Sequence, residues 1–568
     1  MTPDLTGSKH VVDLDINSRT RVLVYLTKFS PYKNIGKCTL YAPKYGLFSD
    51  NLNPEDFIVR GVPYIYVCND CVEAYAGIFR PEKIFYSFLP CSSFYQNSQC
   101  IAISDEAFNL IELLGELMAI DRVSLISFLE FGKVLGEKTL VKNINLLDAG
   151  RILRVDDNGV DLRLGFRYGN AITTSRSLEE LEEQFVNTAF QAFNEYVNAL
   201  RKINALVIVP LSAGVDSRFV LSMLHILNYK NVITVTYGLK DVEYPIAKKV
   251  AETLGYENIF IEYTWDLLRK YLDQMLNYMV WASQLYVVPN IQEFVSTSEI
   301  FIKFCHGDIK KCSSIVFMTG DISDIIAGKA SPIKLLKLQS LEEFLNFILS
   351  KHSLFKLHDE KRTSCKKLLL NSVKETMLYI ANSKTINFTK IYEIFHWKEI
   401  PFKFISSSRL PYIFTGFKFI TPLWDGRLVR FLSSIPWEFK YKNNFYRNVL
   451  RKYLFKPLGI DFEDPMKKPW KMVKAVGPLI KVVSLLIPIE IAEFYEKYLR
   501  RSTRNPYGFD VFFPRIFALA YKLSKDVPAH DREIIDIVNS FMKRTPQDVN
   551  AFIALTSLSL IARELLLH

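Results

Sequence analysis

No stretch of the 568-residue sequence supplies the roughly 20 clean apolar residues that a membrane-spanning helix needs. The nearest candidate, Ala475–Ile489, is broken by Lys481 and two prolines and reads as a buried or amphipathic helix. The opening MTPDLTGSKHVVDLDIN has no apolar core, so no secretory signal and no membrane partner are expected, and a cytoplasmic location follows. Cysteine is too scarce for a disulfide scaffold, with eight in the whole chain. Cys68 and Cys71 form one C-x-x-C, yet no second pair stands at zinc-ribbon spacing, and the histidines are scattered. Free thiols are therefore expected, with a structural zinc as the lesser alternative. A dominant charge is also lacking. Seventy-one basic against 60 acidic residues make a mixed surface, with Pro465–Lys474 (PMKKPWKMVK) its densest basic patch. Nucleic acid is not the expected partner.

What is present is a large core: 49% hydrophobic and 23% charged residues describe a globular chain of three to four domain-sized units, or two large ones. Its organising stretch is Ala205–Ser217, ALVIVPLSAGVDS. Val207, Ile208 and Val209 predict a buried strand, Ser212-Ala213-Gly214 a break, and RFVLSMLHILN a helix. A strand that ends in small residues at a helix N-terminus is an anion site, because unpaired N–H groups and the helix dipole point at whatever sits there. Asp216 suits such a site only if a divalent cation lies between carboxylate and phosphate. The terminal Gly-Lys-Ser/Thr of a Walker-type loop is missing. An ordinary strand–turn–helix junction is the plain alternative.

Residues 1–165 look β-rich, with strands at Arg21–Leu26, Tyr64–Val67 and Lys83–Phe88 and helical texture only at Asp105–Ala119. Phe128–Leu153 reads as a loop, a strand, a turn and another strand, and Gly165–Thr174 as a linker. Ser177 and Glu180 form a capping box that opens a long helix, with Leu178, Leu181, Phe185, Ala189, Ala192, Tyr196 and Leu200 on one face. After the loop helix come a strand Val232–Tyr237 ended by Gly238, a helix Glu243–Leu254 closed by Gly255, and a strand Asn258–Tyr263. This rhythm predicts an α/β fold with a doubly wound parallel sheet and a ligand at the strands' C-terminal ends. Tyr237 and Gly238 then lie beside the loop, although a core-packing Tyr is equally natural. Ser313–Gly328, SSIVFMTGDISDIIAG, repeats the pattern: a strand, a break at Thr319-Gly320, and Asp321 and Asp324 one helical turn apart. A carboxylate pair that merely stabilises a helix dipole is the alternative. Residues 470–568 look helical and aromatic, with Val549–Leu567 a terminal helix docked on the core.

Together these stretches carry a resemblance. The loop resembles the S-G-G-x-D-S pyrophosphate loop of ATP pyrophosphatases. Phe128–Leu153, Ser313–Gly328, Thr421–Phe431 (TPLWDGRLVRF) and Tyr446–Tyr453 (YRNVLRKY) resemble, in order, segments of asparagine synthetases. The resemblance implies a β-rich glutaminase-like (Ntn-hydrolase-like) domain over 1–165, an ATP pyrophosphatase domain over 175–470 and a helical extension over 471–568. It assigns Leu211, Ser212, Gly214, Asp216, Ser217, Tyr237, Gly238 and Gly320 to ATP, and Asp216 and Asp324 to Mg2+. Asp321 falls on the family's proposed general base and Arg447 on its phosphate-stabilising lysine. Asp425 is expected to cap a helix. The departures are specific: Asp321 is one methylene shorter than Glu, Ile322 replaces Gly, Ile325 replaces the second acid, and Arg447 binds as a planar fork. Thr2-Pro3 stands where the family's glutaminase has its nucleophilic cysteine, and no Asn-Gly-Glu-Ile-Tyr-Asn stretch is found. The implied activity is adenylation of a small-molecule carboxylate, aspartate or a relative, then amidation by ammonia or an amine without an active glutaminase. A homo-oligomer is left open. A tRNA-modifying pyrophosphatase, a catalytically inactive regulatory relative and ordinary glutamine-dependent asparagine synthesis remain as rivals.

Overall fold

A computed structural model describes residues 10–17, 20–48, 52–90, 99–169, 177–240, 243–320, 325–329, 333–355, 359–380, 387–462, 532–542 and 549–564. The first 164 residues give β1 (His10–Asn17), β2 (Thr20–Leu26), β3 (Phe29–Ile35), β4 (Cys38–Pro43), α1 (Pro54–Arg60), β5 (Tyr64–Val67), β6 (Val72–Tyr75), β7 (Phe85–Pro90), β8 (Gln99–Ser104), α2 (Ala107–Leu114), α3 (Arg122–Phe131), β9 (Ile144–Leu146), β10 (Arg151–Asp156) and β11 (Gly159–Leu164). They form two sheets, ordered β1-β2-β8-β7-β9 and β11-β10-β6-β5-β4-β3. The three strands expected from β-branched and aromatic runs are all present.

Helix is more widespread here than expected. α1 opens with a complete Asn53/Asp56 capping box and Pro54 at its start, and ends on Gly61 in the left-handed region. α3 runs to Phe131 and stops at left-handed Gly132, so the first residues of Phe128–Leu153 are helix and not loop. Capping signals decide both helices, whereas their apolar spacing is weak. The expected strand–turn–strand follows as β9 and β10. At the corner between them Gly150, with φ +73°, leaves only 2.9 Å between an added Cβ and the Phe166 carbonyl. The linker expected from Gly165 begins as packed chain: Phe166 and Tyr168 are buried, and the Gly165 and Phe166 amides both donate to the Gly150 carbonyl. The free-thiol expectation fails at two places. Cys38 and Cys68, opposite each other where β4 pairs with β5, are joined, with Cα atoms 4.2 Å apart. Cys305 and Cys312 are joined across seven residues.

The rest builds on α4 (Leu178–Lys202), β12 (Leu206–Pro210), α5 (Val215–Ile226), β13 (Val232–Gly238), α6 (Tyr244–Thr253), β14 (Glu257–Glu262), β15 (Ile315–Met318) and β16 (Lys418–Ile420). The Ser177/Glu180 box is made as expected, and six of the seven face residues of α4 are buried. Leu178 is 43% exposed, because the first turn of α4 precedes the packed part of the helix. β12 to β16 form one all-parallel sheet in the order β14-β13-β12-β15-β16, with Val207 beside Val232 and Leu206 beside Ile315. α6 is one residue shorter at each end than expected, and Gly255 still closes it with φ +76°. A helix at Val549–Glu564 matches the expected terminal helix and buries Ala551, Leu558 and Ile561. Ala475–Ile489 and Pro465–Lys474 lie outside the described residues. No helix among the described residues is long and apolar enough to cross a membrane.

Phe79 of the β-rich region stacks on Trp424, ring centres 4.0 Å apart, and Trp397 donates its indole N–H to the Ile78 carbonyl. A second apolar cluster gathers Phe344, Ile348, Tyr392 and Phe395. Beside it, buried His396 packs against Tyr392 and His352. Burial first, then Lys351 and Lys133, pull the His396 pKa down to about 3. The folded state keeps this imidazole neutral, while the unfolded chain protonates it below about pH 6.5. Acidification from pH 6.5 toward 3 therefore destabilises the fold by about 1.4 kcal/mol per pH unit through this group alone. Urea midpoints between pH 7 and 5 should fall less steeply in His396→Leu than in the wild type.

Candidate nucleotide-binding site

β12 lies at the centre of the parallel sheet. From it the chain moves outward through β13 and β14 on one side, and the later strands β15 and β16 extend the other. The C-terminal ends of β12 and β15 thus flank the point where strand order reverses, the crevice in which open α/β sheets bind ligands. Residues 211–214 leave β12 there, and Thr319-Gly320 leave β15 there.

The first loop is braced by its own hydroxyls. Ser212 N–H donates to Ser217 Oγ at 3.1 Å, the two serine oxygens are 3.1 Å apart, and Gly214 N–H donates to Ser212 Oγ at 3.1 Å. Leu211 is buried and spends both backbone groups on β13: its N–H donates to the Val235 carbonyl and its carbonyl accepts from Thr236 Oγ1, each at 2.8 Å. Gly214 is the N-cap of α5, and no side chain caps that helix. The amides of its first turn are therefore offered to a ligand over the loop instead of to a side chain.

Gly320 sets how close the second loop comes. A Cβ on Gly320 would stand 2.3 Å from the Ser217 amide nitrogen and 2.5 Å from the Asp216 carbonyl carbon. Only glycine lets β15's exit lie on the backbone of α5's first turn. Asp321 and Asp324, the candidate base and second metal ligand, lie outside the described residues. The chain is described again at Ile325–Lys329, a short π-helical turn, where Gly328 packs against the Lys440 carbonyl.

Asp216 is buried, and Tyr446 Oη donates to its Oδ1 at 2.6 Å. Tyr446 sits on the helix Asn444–Leu450, one residue before Arg447. The loop and the helix that carries Arg447 are thereby linked. The Arg447 side chain is half-buried and has no hydrogen bond or ion pair among the described residues. Tyr237, the penultimate residue of β13, stacks on Tyr263 with ring centres 5.7 Å apart. Gly238 takes φ +113°, and its carbonyl accepts from the Tyr263 amide. Asp425 caps the helix Gly426–Ser434 as expected, donated to by the Arg427 amide at 3.0 Å.

Two contacts that brace the loop escaped the sequence. Arg218 is buried; its Nη2 donates to the Ala213 carbonyl at 2.9 Å and its Nη1 to the carbonyls of Ile460 and Phe462 at 3.0 Å. An arginine inside an otherwise apolar helix face needs such partners, and that demand is the signal that could have found it. Tyr446 carried no comparable signal. A separate small cleft, lined by Phe48, Arg60, Phe79, Tyr196 and Trp424 among others, belongs to the junction with the β-rich region and includes none of the loop residues.

The residues fit a triphosphate: small side chains, uncapped amides at a switch point, and a carboxylate oriented by a tyrosine. Residues 193–384 match the asparagine synthase family. No curated protein matches the chain. The match supports an ATP-dependent, amide-forming ligase in general.

Gly320→Ala should lower the thermal midpoint, since overpacking costs about 1–3 kcal/mol, and should weaken nucleotide binding measured by calorimetry. Tyr446→Phe should remove a hydrogen bond to a buried carboxylate, costing about 1.5–3 kcal/mol in urea unfolding.

Proposed function

We propose that this chain, of which residues 193–384 match the asparagine synthase family, is asparagine synthetase-like, adenylates a small-molecule carboxylate with ATP and passes the acyl group to ammonia or an amine. The supporting observation is the Ser212–Ser217 loop, which leaves the central strand at the switch point and runs into an uncapped helix against Gly320. A carboxylate oxygen attacks the α-phosphorus, the bond to the bridging oxygen breaks, and pyrophosphate leaves. The nitrogen nucleophile then attacks the acyl carbon, AMP departs, one proton is released and an amide remains.

Ser212, Gly214, Ser217 and the first-turn amides of α5 are the proposed pyrophosphate cradle, with Tyr237 and Gly238 bordering the base. Leu211 aligns the cradle through its backbone, and Gly320 gives it room. Asp216 and Asp324 are the carboxylates proposed to hold Mg2+, which would neutralise phosphate charge there. The Tyr446 hydrogen bond orients Asp216. Arg447, unpaired among the described residues, is the cation proposed to meet the charge that develops on phosphate, and Asp321 is the proposed proton acceptor. Positioning and electrostatic clamping provide most of the acceleration in such chemistry.

We extend the proposal to domain organisation: a glutaminase-like region over 1–165 that no longer hydrolyses glutamine, the ligase domain over 175–470, and an extension over 471–568. The test is pyrophosphate release from Mg-ATP with aspartate and either ammonium or glutamine, for the wild type and Asp216→Ala. Release that requires a carboxylate and Asp216 and prefers ammonium is expected, with at least a hundredfold loss in the variant (~2.7 kcal/mol). If ATP binds and no carboxylate supports release, the ligase reading is wrong and an inactive relative takes its place.

A further inference from the structure

Three cysteines of the β-rich region take no part in nucleotide chemistry. Cys38 opens β4, Cys68 follows β5 and Cys71 precedes β6. The antiparallel register that pairs Thr39 with Val67, and Val67 with Val72, brings all three to one end of the same sheet. Asn69-Asp70 form the turn between β5 and β6, closed by the Cys68 amide donating to the Cys71 carbonyl at 2.8 Å. Cys68 is joined to Cys38, while Cys71 is a buried free thiol. Cys68 Sγ, Cys71 Sγ and a carboxylate oxygen of exposed Asp70 lie within 4.8 Å of one another.

We propose that this corner is a structural metal site for a zinc-type divalent ion, held by the thiolates of Cys38, Cys68 and Cys71 and the carboxylate of Asp70, with the Cys38–Cys68 disulfide its metal-free, oxidised form. A tetrahedral ion with metal–sulfur bonds of about 2.3 Å sets its sulfurs about 3.8 Å apart. Three of the four ligand atoms, from Cys68, Asp70 and Cys71, already lie within 4.8 Å of one another, and Cys38 is brought to the same corner by its bond to Cys68. Soft thiolates select zinc over calcium or magnesium, and four protein ligands close the shell, which marks a structural site. Exposed Asp70 gives the ion its entry. The Cys305–Cys312 disulfide serves as contrast, since no third ligand joins it among the described residues.

Burial holds the Cys71 thiol up, and the Arg154 guanidinium acts in the opposite sense. Metal binding replaces the thiol proton outright. The two forms interconvert with balanced chemistry. A dithiol gives two electrons and two protons to the Cys38–Cys68 bond and becomes a disulfide itself. The two thiols so formed and that of Cys71 release three protons as they take up the ion. Such a site binds three neighbouring strands of the central part of the sheet through one ion, where the oxidised form links only two.

The test uses the full chain purified with a dithiol reductant, without chelator and without air. Elemental analysis should find about one zinc per chain beyond any metal removed by washing with Mg-ATP. Replacement by Co2+ should give the near-ultraviolet thiolate-to-cobalt band. Cys71→Ser should weaken that band, and Asp70→Ala, at an exposed turn position, should bind Co2+ at least about tenfold more weakly while keeping its far-ultraviolet circular dichroism. A reduced wild type that retains no zinc and gives no cobalt band overturns the proposal, as does a band unchanged in Cys71→Ser. Pyrophosphate release is scored separately, so either reading can fail without the other.

Discussion

The contact on which the candidate site depends is that of Gly320 with the backbone of Asp216 and Ser217. Two parallel strands diverge from a switch point, and their exits must approach within backbone contact if both are to reach one ligand. The space is so tight that even a methyl group collides with the Ser217 amide. Around this contact the loop is rigid before any ligand arrives. The two serine hydroxyls brace each other, Leu211 is pinned to β13, and Arg218 ties the Ala213 carbonyl to residues 460 and 462. Preorganised donors of this kind spend no reorganisation energy when charge develops over them.

Much of this was legible in the sequence because it rests on period and on small residues. The βαβαβ rhythm, the break at Ser212-Ala213-Gly214, the Ser177/Glu180 box and the Asp425 cap are local patterns, and each appears where spacing placed it. Long-range partners were not legible. Tyr446 and Asp216 are 230 residues apart, and Arg218 reaches 242 residues to Ile460. Nothing in either neighbourhood announces the other. α1 and α3 show a different failure: their caps were written in Asn53-Pro54-x-Asp56 and in Asp121 and Gly132, but weak apolar periodicity outweighed them. The Cys38–Cys68 pair depends on strand register, which cysteine spacing alone cannot supply.

The β-rich region is tied to the remainder by more than apolar contact. Lys403 is fully buried and donates to the Val134 and Gly136 carbonyls and to Glu399; Glu399 in turn accepts from the Gly136 amide and Ser372. Lys398 pairs with Asp148 at 2.6 Å, both buried. Such pairs add little net stability over an apolar junction of the same shape, since desolvation consumes most of the Coulomb gain. Their effect is on what happens when one side is lost.

Without residues 130–150, Lys398 would lose Asp148 and Lys403 two of its three acceptors, and breaking a buried pair such as Lys398–Asp148 costs about 3–5 kcal/mol. Lys398 and Lys403 sit on or beside the helix Phe388–Glu399, which also carries Trp397 against Ile78. The same chain then runs on to β16, and β16 pairs with β15, whose exit is Gly320. One continuous stretch of chain thus joins the edge strand of the parallel sheet to the buried charges that the β-rich region completes.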